Sequence, residues 1–432
     1  MNDTTIQKYQ RDLVGYLKKA NYLKTPLIEE AFIKVPRHLF LPGEPLDKVY
    51  SDIAIVIKRG EEGRWTSSSS QPAIMAIMLE QLDLKPGQRV LEIGAGTGFN
   101  AGLIASVVGR SGKVVTVDIQ PDLIEHARKC LDAAGYDWVQ TVVGDGGYGF
   151  PDGAPYDRII LTVASEVITP SWKDQLVQDG VLVLPFAVIE GFQRSVAFQK
   201  RGEELVSVDI KACGFMPLQG AFGIAQPLRT PLGSDPRLCV FSAPGKALPV
   251  EADTIAAWLS QEGQDLPSGV TLTLGDFLND FSPWVALHES QAKQQTMARV
   301  TIAALGDLAE QNLIPSLFGF DGDMKAMYSA AAIEPDGMAA LVRPPGQPAP
   351  LIDMFNPGDK YNTTFELHVR ILGSGTNAAQ RVLEYIQDWD QSGRPTSSGW
   401  HIRAIPAGTE YQPSNGEFLV DKPWTKLIIS YQ

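Results

Sequence analysis

The sequence predicts an α/β protein: a doubly wound, mostly parallel sheet in the first half of the chain, and a second, α+β domain after it. Three observations lead there. Short apolar strands alternate with helical patterns from residue 89 to about 190, as parallel β-α-β units require. A glycine-rich turn, Gly94-Ala95-Gly96-Thr97-Gly98, separates the first of these strands from the helix that follows. Beyond residue 226 the alternation stops, and prolines punctuate the chain at Pro227, Pro231, Pro236, Pro244 and Pro249. At 432 residues the chain is too long for one ordinary core. We place the domains at residues 1–225 and 226–432.

The elements follow in order. Residues 5–20 and 25–34 have amphipathic helical spacing, and Val35-Pro36 stops the second run. Val49 to Ile57 reads as extended. Lys58 to Ser70 reads as a polar loop with Gly60, Gly63 and four consecutive serines. Behind Pro72, which suits a first helical turn, Ile74, Met75, Ile77, Met78, Leu79 and Leu82 recur at helical spacing. The strand Arg89 to Ile93 leads into the glycine turn, and a helix runs from Asn100 to Val108. Next come a strand (Val114 to Asp118), a helix (Pro121 to Ala134), a strand (Val139 to Val143), a turn (Gly144 to Gly149) and a strand (Arg158 to Thr162). A helix from Ser171 to Gln178 leads to a strand from Val181, and residues 192–213 read as antiparallel strands closing the sheet edge. In the second domain, residues 252–262, 290–310 and Asn377 to Trp389 read as helical. Thr363 to Leu372, Trp400 to Ile405 and Leu427 to Tyr431 read as strands, and Pro344 to Pro350 as a loop.

Composition narrows the function classes. Lys plus Arg total 37 and Asp plus Glu 50, a net charge of −13. That balance disfavours a non-specific nucleic-acid binder, which needs cations to neutralise phosphates. Three cysteines and five histidines show no disulfide framework and no metal-ligand spacing, so no metal is expected. The longest apolar run, Val181 to Ile189, is far below the ~20 residues of a membrane span. The start of the chain has no apolar signal core. The expectation is a soluble, cytoplasmic protein with no nucleic-acid or membrane partner.

The glycine turn carries the chemistry. Glycines after a strand let the backbone bend sharply and approach a ligand at a helix N-terminus. Such a turn serves NAD or S-adenosylmethionine, and two details favour the second. A dinucleotide fingerprint from Gly94 needs glycine at 99, where Phe99 stands. Glu92 precedes the first glycine, where a cationic ligand gains from a carboxylate. Asp118 ends the second strand, 20 residues past Gly98, where a carboxylate can accept both ribose hydroxyls. Asp145, in Gly144-Asp145-Gly146 after the third strand, is placed to bond an adenine amine or to fix its loop.

The run Val90 to Ala101 resembles motif I of class I S-adenosylmethionine-dependent methyltransferases. Further motifs resemble one branch, the protein-L-isoaspartate O-methyltransferases, in the family's order. These are Ala31-Phe32-Ile33-Lys34-Val35-Pro36-Arg37-His38-Leu39-Phe40, Tyr50-Ser51-Asp52, Ser70-Gln71-Pro72, Gly144-Asp145-Gly146, Ala154 to Ile160 and Gly214-Phe215-Met216-Pro217-Leu218. The likeness spans residues 5–225. It implies a Rossmann-like sheet and S-adenosyl-L-methionine as donor, leaving S-adenosyl-L-homocysteine. It implies cofactor contacts from Glu92, Gly94, Ala95, Gly96, Thr97, Gly98, Asn100, Asp118, Ile119, Gly144, Asp145 and Gly146. It makes Ser70 the hydroxyl that meets the acceptor, with Ser69 and Thr162 as further candidates on that side.

Methyl transfer to a carboxylate needs no general base, because an acceptor with a reference pKa of about 3.9 is already ionised at neutral pH. The enzyme must align the reactants and give the dehydrated carboxylate hydroxyl or N–H donors. The other reading of Ser70 is a helix N-cap. The chain departs from the repair enzymes in its long approach from Gly60 to Ser69, in Thr162-Val163-Ala164-Ser165 with Trp172 beyond, and in its extra domain. These features resemble the subset that tailors ribosomal peptides such as lanthipeptides, lasso peptides and graspetides. There, methylation of an aspartate in a cyclised peptide promotes aspartimide formation. The alternative is general isoaspartyl repair. The partner is then a peptide in either case, and Trp284, Trp389, Trp400 and Trp424 are candidates to touch it.

Overall fold

The computed structural model describes residues 3–60, 65–189, 191–291, 297–322, 325–352 and 361–431. The chain divides into two compact units, Met1–Ile224 with Ser398–Gln432, and Ala225–Ser397. The expected second domain reached the C-terminus. The division differs because the strand Trp400–Pro406 pairs with Glu204–Ala212 of the first unit, Arg403 opposite Val206.

The first unit begins with helices α1 (Asp3–Lys19) and α2 (Pro26–Lys34) and one helical turn, α3 (Leu46–Val49). A hairpin follows, β1 (Ile55–Arg59) and β2 (Trp65–Ser69), then helix α4 (Pro72–Leu82). The serine stretch expected as loop is thus largely strand. Its side chains alternate inward and outward, Ser67 and Ser69 being buried, with Ser69 opposite Ile55. The alternation is hidden from a hydrophobicity pattern because all its members are polar. Glu61, Glu62, Gly63 and Arg64 of that approach lie outside the described residues.

The main sheet comprises β3 (Arg89–Ile93), β4 (Lys113–Asp118), β5 (Gln140–Val143), β6 (Tyr156–Leu161), β7 (Leu176–Ile189), β8 (Phe192–Arg201) and β9 (Glu204–Ala212). Helices α5 (Phe99–Val108), α6 (Pro121–Ala133) and α7 (Pro170–Gln175) connect the parallel strands. The spatial order is β5-β4-β3-β6-β7-β8-β9, continued by Trp400–Pro406, Thr425–Tyr431 and Phe418–Asp421. β3 to β7 pair in parallel and β7 to β9 antiparallel. The chain winds outward from β3 to β5, then crosses back to β6. The strand order therefore reverses beside β3, and such a reversal opens a crevice at the carboxyl ends of the strands. Leu17, Phe32, Phe40, Leu79, Val90, Leu103 and Val114 share one core between the N-terminal helices and this sheet.

The second unit is built on an antiparallel sheet in the order Leu228–Pro231, Leu238–Ser242, Ala298–Leu305, Ala326–Glu334, Gly337–Val342, Phe365–Gly373 and Gln264–Leu272. Its helices include Ala252–Leu259, Ser282–Ser290 and Thr376–Gln391. The helix expected over 290–310 is instead, at Ala298–Leu305, a central strand. Val300, Ile302 and Ala304 alternate into the core there, and tertiary burial outweighs helix propensity.

Candidate functional site

The glycine turn sits at the carboxyl end of β3, where the strand order reverses. Gly94, Gly96 and Gly98 all have positive φ, at 98°, 51° and 84°, which side chains rarely adopt. Space excludes side chains too. A Cβ on Gly94 would lie 2.4 Å from Thr162 Oγ1, and one on Gly98 3.1–3.3 Å from Ala127, so α5 and α6 meet across a bare backbone. Ala95 packs with Ile124 and Ala127 under the turn.

Glu92 does not face the turn's open side. Its side chain is fully buried. One oxygen accepts from Asn100 Nδ2 at 2.7 Å and the other from Thr116 Oγ1 at 2.6 Å. Burial pushes its pKa up to about 7 against these two hydrogen bonds. Glu92 and Asn100, expected as direct cofactor contacts, therefore tie β3, β4 and α5 together behind the turn. Thr97 is also buried, its hydroxyl accepting from Phe99 N at 3.4 Å.

Asp118 does face the turn. Its oxygens accept from Gly96 N at 3.2 Å and Gln120 N at 3.0 Å. Burial raises its pKa, opposed by these N–H bonds. Each carboxylate oxygen can accept more than one bond, so the pair keeps capacity for two hydroxyls. Ile119, beside it, is 37% exposed. Gly144 N donates to Asp118 O at 2.9 Å, bringing the loop after β5 against the loop after β4. Asp145 accepts from Gly147 N at 2.9 Å and from Ala221 N at 2.7 Å, one bond on each oxygen, which fixes its loop and leaves it the same spare acceptor capacity as Asp118. Gly146 has no room for a side chain, since a Cβ would meet Ile93 Cγ2 at 2.3 Å.

The serine loop lies against the turn. A Cβ on Gly96 would stand 3.5 Å from Ser68 O and 3.9 Å from Ser67 Oγ. Lys58 pairs with Asp122 at 2.6 Å, and Gln120 Nε2 reaches Thr66 O at 3.5 Å. The hairpin thereby borders the segment after Asp118. Ser70 is half-buried at the mouth of α4. It is not the helix cap. The N-cap position is Gln71, and the cap is supplied from outside by Asp52, whose Oδ1 accepts from Ala73 N at 2.8 Å. Asp52 Oδ2 holds Gln71 Nε2 at 3.0 Å. Ser69, in contrast, is 3% exposed and its Oγ faces Arg37. Thr162 Oγ1 donates to Gly94 O at 2.6 Å, so its proton is engaged in the turn.

Arg37 is the residue that sequence reasoning missed. Only 1% exposed, it donates from Nη2 to Ser70 O at 3.1 Å, to Ile53 O at 3.4 Å and to Ser69 Oγ at 3.5 Å, and from Nη1 to Ser51 O at 3.4 Å. No carboxylate of a described residue hydrogen-bonds it; burial lowers its pKa to about 10, opposed by the charge of nearby Asp52. A cation thus lies under the serine loop, hydrogen-bonded by carbonyls and a hydroxyl and with the Asp52 charge nearby. The only sequence signal was an arginine inside the apolar run Val35 to Leu41. His38, its neighbour, bonds Tyr50 Oη through Nδ1 at 2.8 Å, and burial lowers the ring's pKa.

The arrangement juxtaposes three things: a turn of three bare glycines with an acid at the adjoining strand end, a hydroxyl at a helix N-terminus, and a buried cation beneath it. It suits a bound donor beside an anionic acceptor. Among the described residues no group of three or more His, Cys, Asp or Glu could hold a metal, and no helix is long and apolar enough to cross a membrane.

Comparison with known proteins gives the family. Residues 7–222 match the family Protein-L-isoaspartate(D-aspartate) O-methyltransferase. The protein-L-isoaspartate O-methyltransferase of Methanopyrus kandleri is 36% identical over 227 residues, 52% of this chain and 98% of its own length. The protein-L-isoaspartate O-methyltransferase 2 of Archaeoglobus fulgidus is 40% identical over 199 residues, 45% and 86% of the two chains. A solved protein-L-isoaspartate O-methyltransferase aligns over 91% of this chain and 96% of its own, at 24% identity and a TM-score of 0.48. Through the unit that holds the glycine turn, this chain belongs to the protein-L-isoaspartate O-methyltransferase family.

Proposed function

We propose that the chain methylates the free carboxylate of an isoaspartyl or aspartyl residue in a peptide, with S-adenosyl-L-methionine as donor. The observation that carries this reading is the contact of the Gly96 turn with the Ser67–Ser70 loop over buried Arg37. When bound, the donor supplies an electrophilic methyl group on a sulfonium, which a carboxylate oxygen accepts with no proton leaving. The residues fit that donor: Gly94, Gly96 and Gly98 carry no side chain, the Ala95 and Thr97 side chains are buried, and Asp118 retains acceptor capacity for ribose hydroxyls. Ala95, Ile119 and Gly144 line the same edge, while Glu92, Asn100, Thr97, Thr162 and Asp145 hold it in shape.

On the acceptor side, Ser70 donates its hydroxyl to the incoming carboxylate. The first turn of α4 and Arg37 favour negative charge there. A carboxylate stripped of water in this cleft is therefore compensated, and no general base takes part. The product ester has a far better leaving group than a carboxylate, so a neighbouring backbone nitrogen can close a succinimide.

A second, finer reading concerns the substrate. The inserted approach to Ser70 and the additional unit Ala225–Ser397 support a ribosomally made, cyclised peptide bearing ordinary aspartate, with the additional unit recognising it. Selectivity among abundant aspartates must come from remote contacts, which extra surface supplies. Incubation with an isoaspartyl peptide, and separately with a cyclised peptide containing only normal aspartate, tests both readings. One added methyl on the isoaspartyl peptide alone supports repair and excludes tailoring. Methylation of neither contradicts the carboxyl-transfer reading.

A further inference from the structure

Of the four tryptophans considered for peptide contact, Trp284, Trp389 and Trp400 are buried and Trp424 is 41% exposed. Trp424 belongs to the returning segment Ser398–Gln432 of the first unit. Its ring centroid lies 5.4 Å from that of Phe222, which in turn lies 5.0 Å from that of Tyr148, itself 55% exposed. The three rings come from three separate segments: the loop after β5, the chain beyond β9 and the C-terminal return.

The ledge is pinned at both ends to the site. Phe222 rests on bare backbone, since a Cβ on Gly147 would come within 2.0 Å of its ring. Asp145 clamps Ala221 next to it. On the other side Lys422 Nζ donates to Ala187 O at 2.8 Å and stands 5.5 Å from the Phe186 ring centroid. Ala187 N donates to Ser165 O, and Ala164 exchanges hydrogen bonds with Met216 O and Leu218 N. Those residues directly follow Thr162 at the carboxyl end of β6. The ledge is therefore continuous with the edge of the sheet where the turn and Ser70 lie. Single exposed apolar side chains are ordinary, but three rings on one ledge, in edge-on and tilted contact, form a patch, and patches beside a cleft mark binding surfaces.

We propose that the Tyr148–Phe222–Trp424 ledge is a subsite for an aromatic or large apolar side chain of the acceptor peptide, close in sequence to the methylated residue. This rests on the carboxyl-methylation reading and adds a specificity determinant outside the additional unit. Ring faces reward any apolar side chain laid on them, and binding there positions the acceptor by contacts remote from the reacting carboxylate. A chain of net charge −13 does not attract acidic peptides at long range, and apolar contact adds selectivity that charge does not supply for them.

The test uses the full chain and isoaspartyl peptides with Phe or Ser placed one, two or three residues to either side of the acceptor. The expected result is at least a fivefold higher kcat/KM for Phe over Ser in one register, expressed in KM. Trp424→Ala brings that ratio to within twofold, and Trp424→Phe restores at least half of it. Equal use of Phe and Ser peptides in every register overturns the proposal, as does an unchanged ratio in Trp424→Ala. A loss of S-adenosylhomocysteine affinity beyond tenfold in Trp424→Ala also overturns it, because the ledge then covers the donor. Conversion of a dimer to a monomer by Trp424→Ala overturns it in favour of self-association. If the parent methylates no peptide, the functional reading fails by itself. Titration of the same Phe and Ser peptides onto the S-adenosylhomocysteine complex then still decides the ledge, by whether their Kd values differ at least fivefold.

Discussion

Asp52 stands 2.8 Å from the backbone nitrogen of Ala73 and so caps the helix whose entrance Ser70 occupies. The usual task of a serine in that position is thereby taken by a residue 18 positions earlier (70 − 52 = 18). This division of labour separates the stability of the helix from the role proposed for Ser70.

Ser70→Ala is therefore expected to cost little stability and much activity. Loss of one hydrogen bond to a charged group amounts to roughly 1.5–3 kcal/mol, about 10- to 100-fold in kcat/KM. Affinity for S-adenosylhomocysteine, read by calorimetric titration, should stay within about threefold on this assignment. A collapse of that affinity would move Ser70 to the donor side.

Asp52→Ala shows the complementary pattern. Loss of a cap costs roughly 0.5–2 kcal/mol. Amide exchange at Ala73 to Met75 should accelerate, while the same amides in Ser70→Ala exchange at parental rates. Equal acceleration in both variants contradicts the assignment of the cap.

Arg37→Lys keeps the charge but loses the fork that spans the carbonyls of Ser51, Ile53 and Ser70. A point charge cannot satisfy that fork. The expectation is a kcat/KM lowered by roughly tenfold, about 1.4 kcal/mol, with S-adenosylhomocysteine affinity retained. Arg37→Met, which also removes the charge, should be worse for acceptor KM than Arg37→Lys. Identical acceptor KM in both variants would show that the charge itself does nothing.

These residues show how far the sequence could be read. The parallel sheet was legible because short apolar runs alternate with helical patterns, β3 and β5 leading into glycine turns, and β3, β4 and β6 fall within two residues of expectation. The hairpin strand Trp65–Ser69 was not, because its alternation is carried by hydroxyl side chains. The last strands were legible as strands, but sheet partners are fixed by tertiary pairing, which no local pattern reveals. The turn glycines and Asp118 were singled out from their spacing, and they lie side by side in the fold. Arg37 escaped because a buried cation looks like any surface arginine until the carbonyls around it are placed. Thr162 shows the converse limit, since it stands where expected but donates its hydroxyl to the backbone of the turn, while Asp145 holds its loop, one of the two roles expected of it.

Glu92 gives a pH dependence. Burial raises its folded-state pKa to about 7 from an ordinary 4.5, so the folded chain holds this proton more tightly than the unfolded one. Its contribution to stability is complete below about pH 4.5, declines as pH rises through about 7 and is flat above, with a slope of at most ~1.4 kcal/mol per pH unit. Glu92→Gln removes the titration. Urea unfolding at pH 5, 6 and 7 should show a shallower decline for the variant than for the parent. Parallel profiles would show that Glu92 titrates normally.

Asp118→Ala should weaken S-adenosylhomocysteine binding by roughly 30-fold or more, since up to two bonds to a charged acceptor, each ~1.5–3 kcal/mol, are lost. Unchanged affinity would place the ribose elsewhere.

The central claim is that the glycine turn holds the methyl donor with its reacting end toward Ser70. A crystal structure of the full chain with S-adenosylhomocysteine measures this directly. The account predicts ribose hydroxyls on Asp118, the product against Gly94 to Gly98, and its sulfur opening on the cleft that Ser70 Oγ lines. A turn left empty at saturating product, or a sulfur walled off from Ser70, would contradict it.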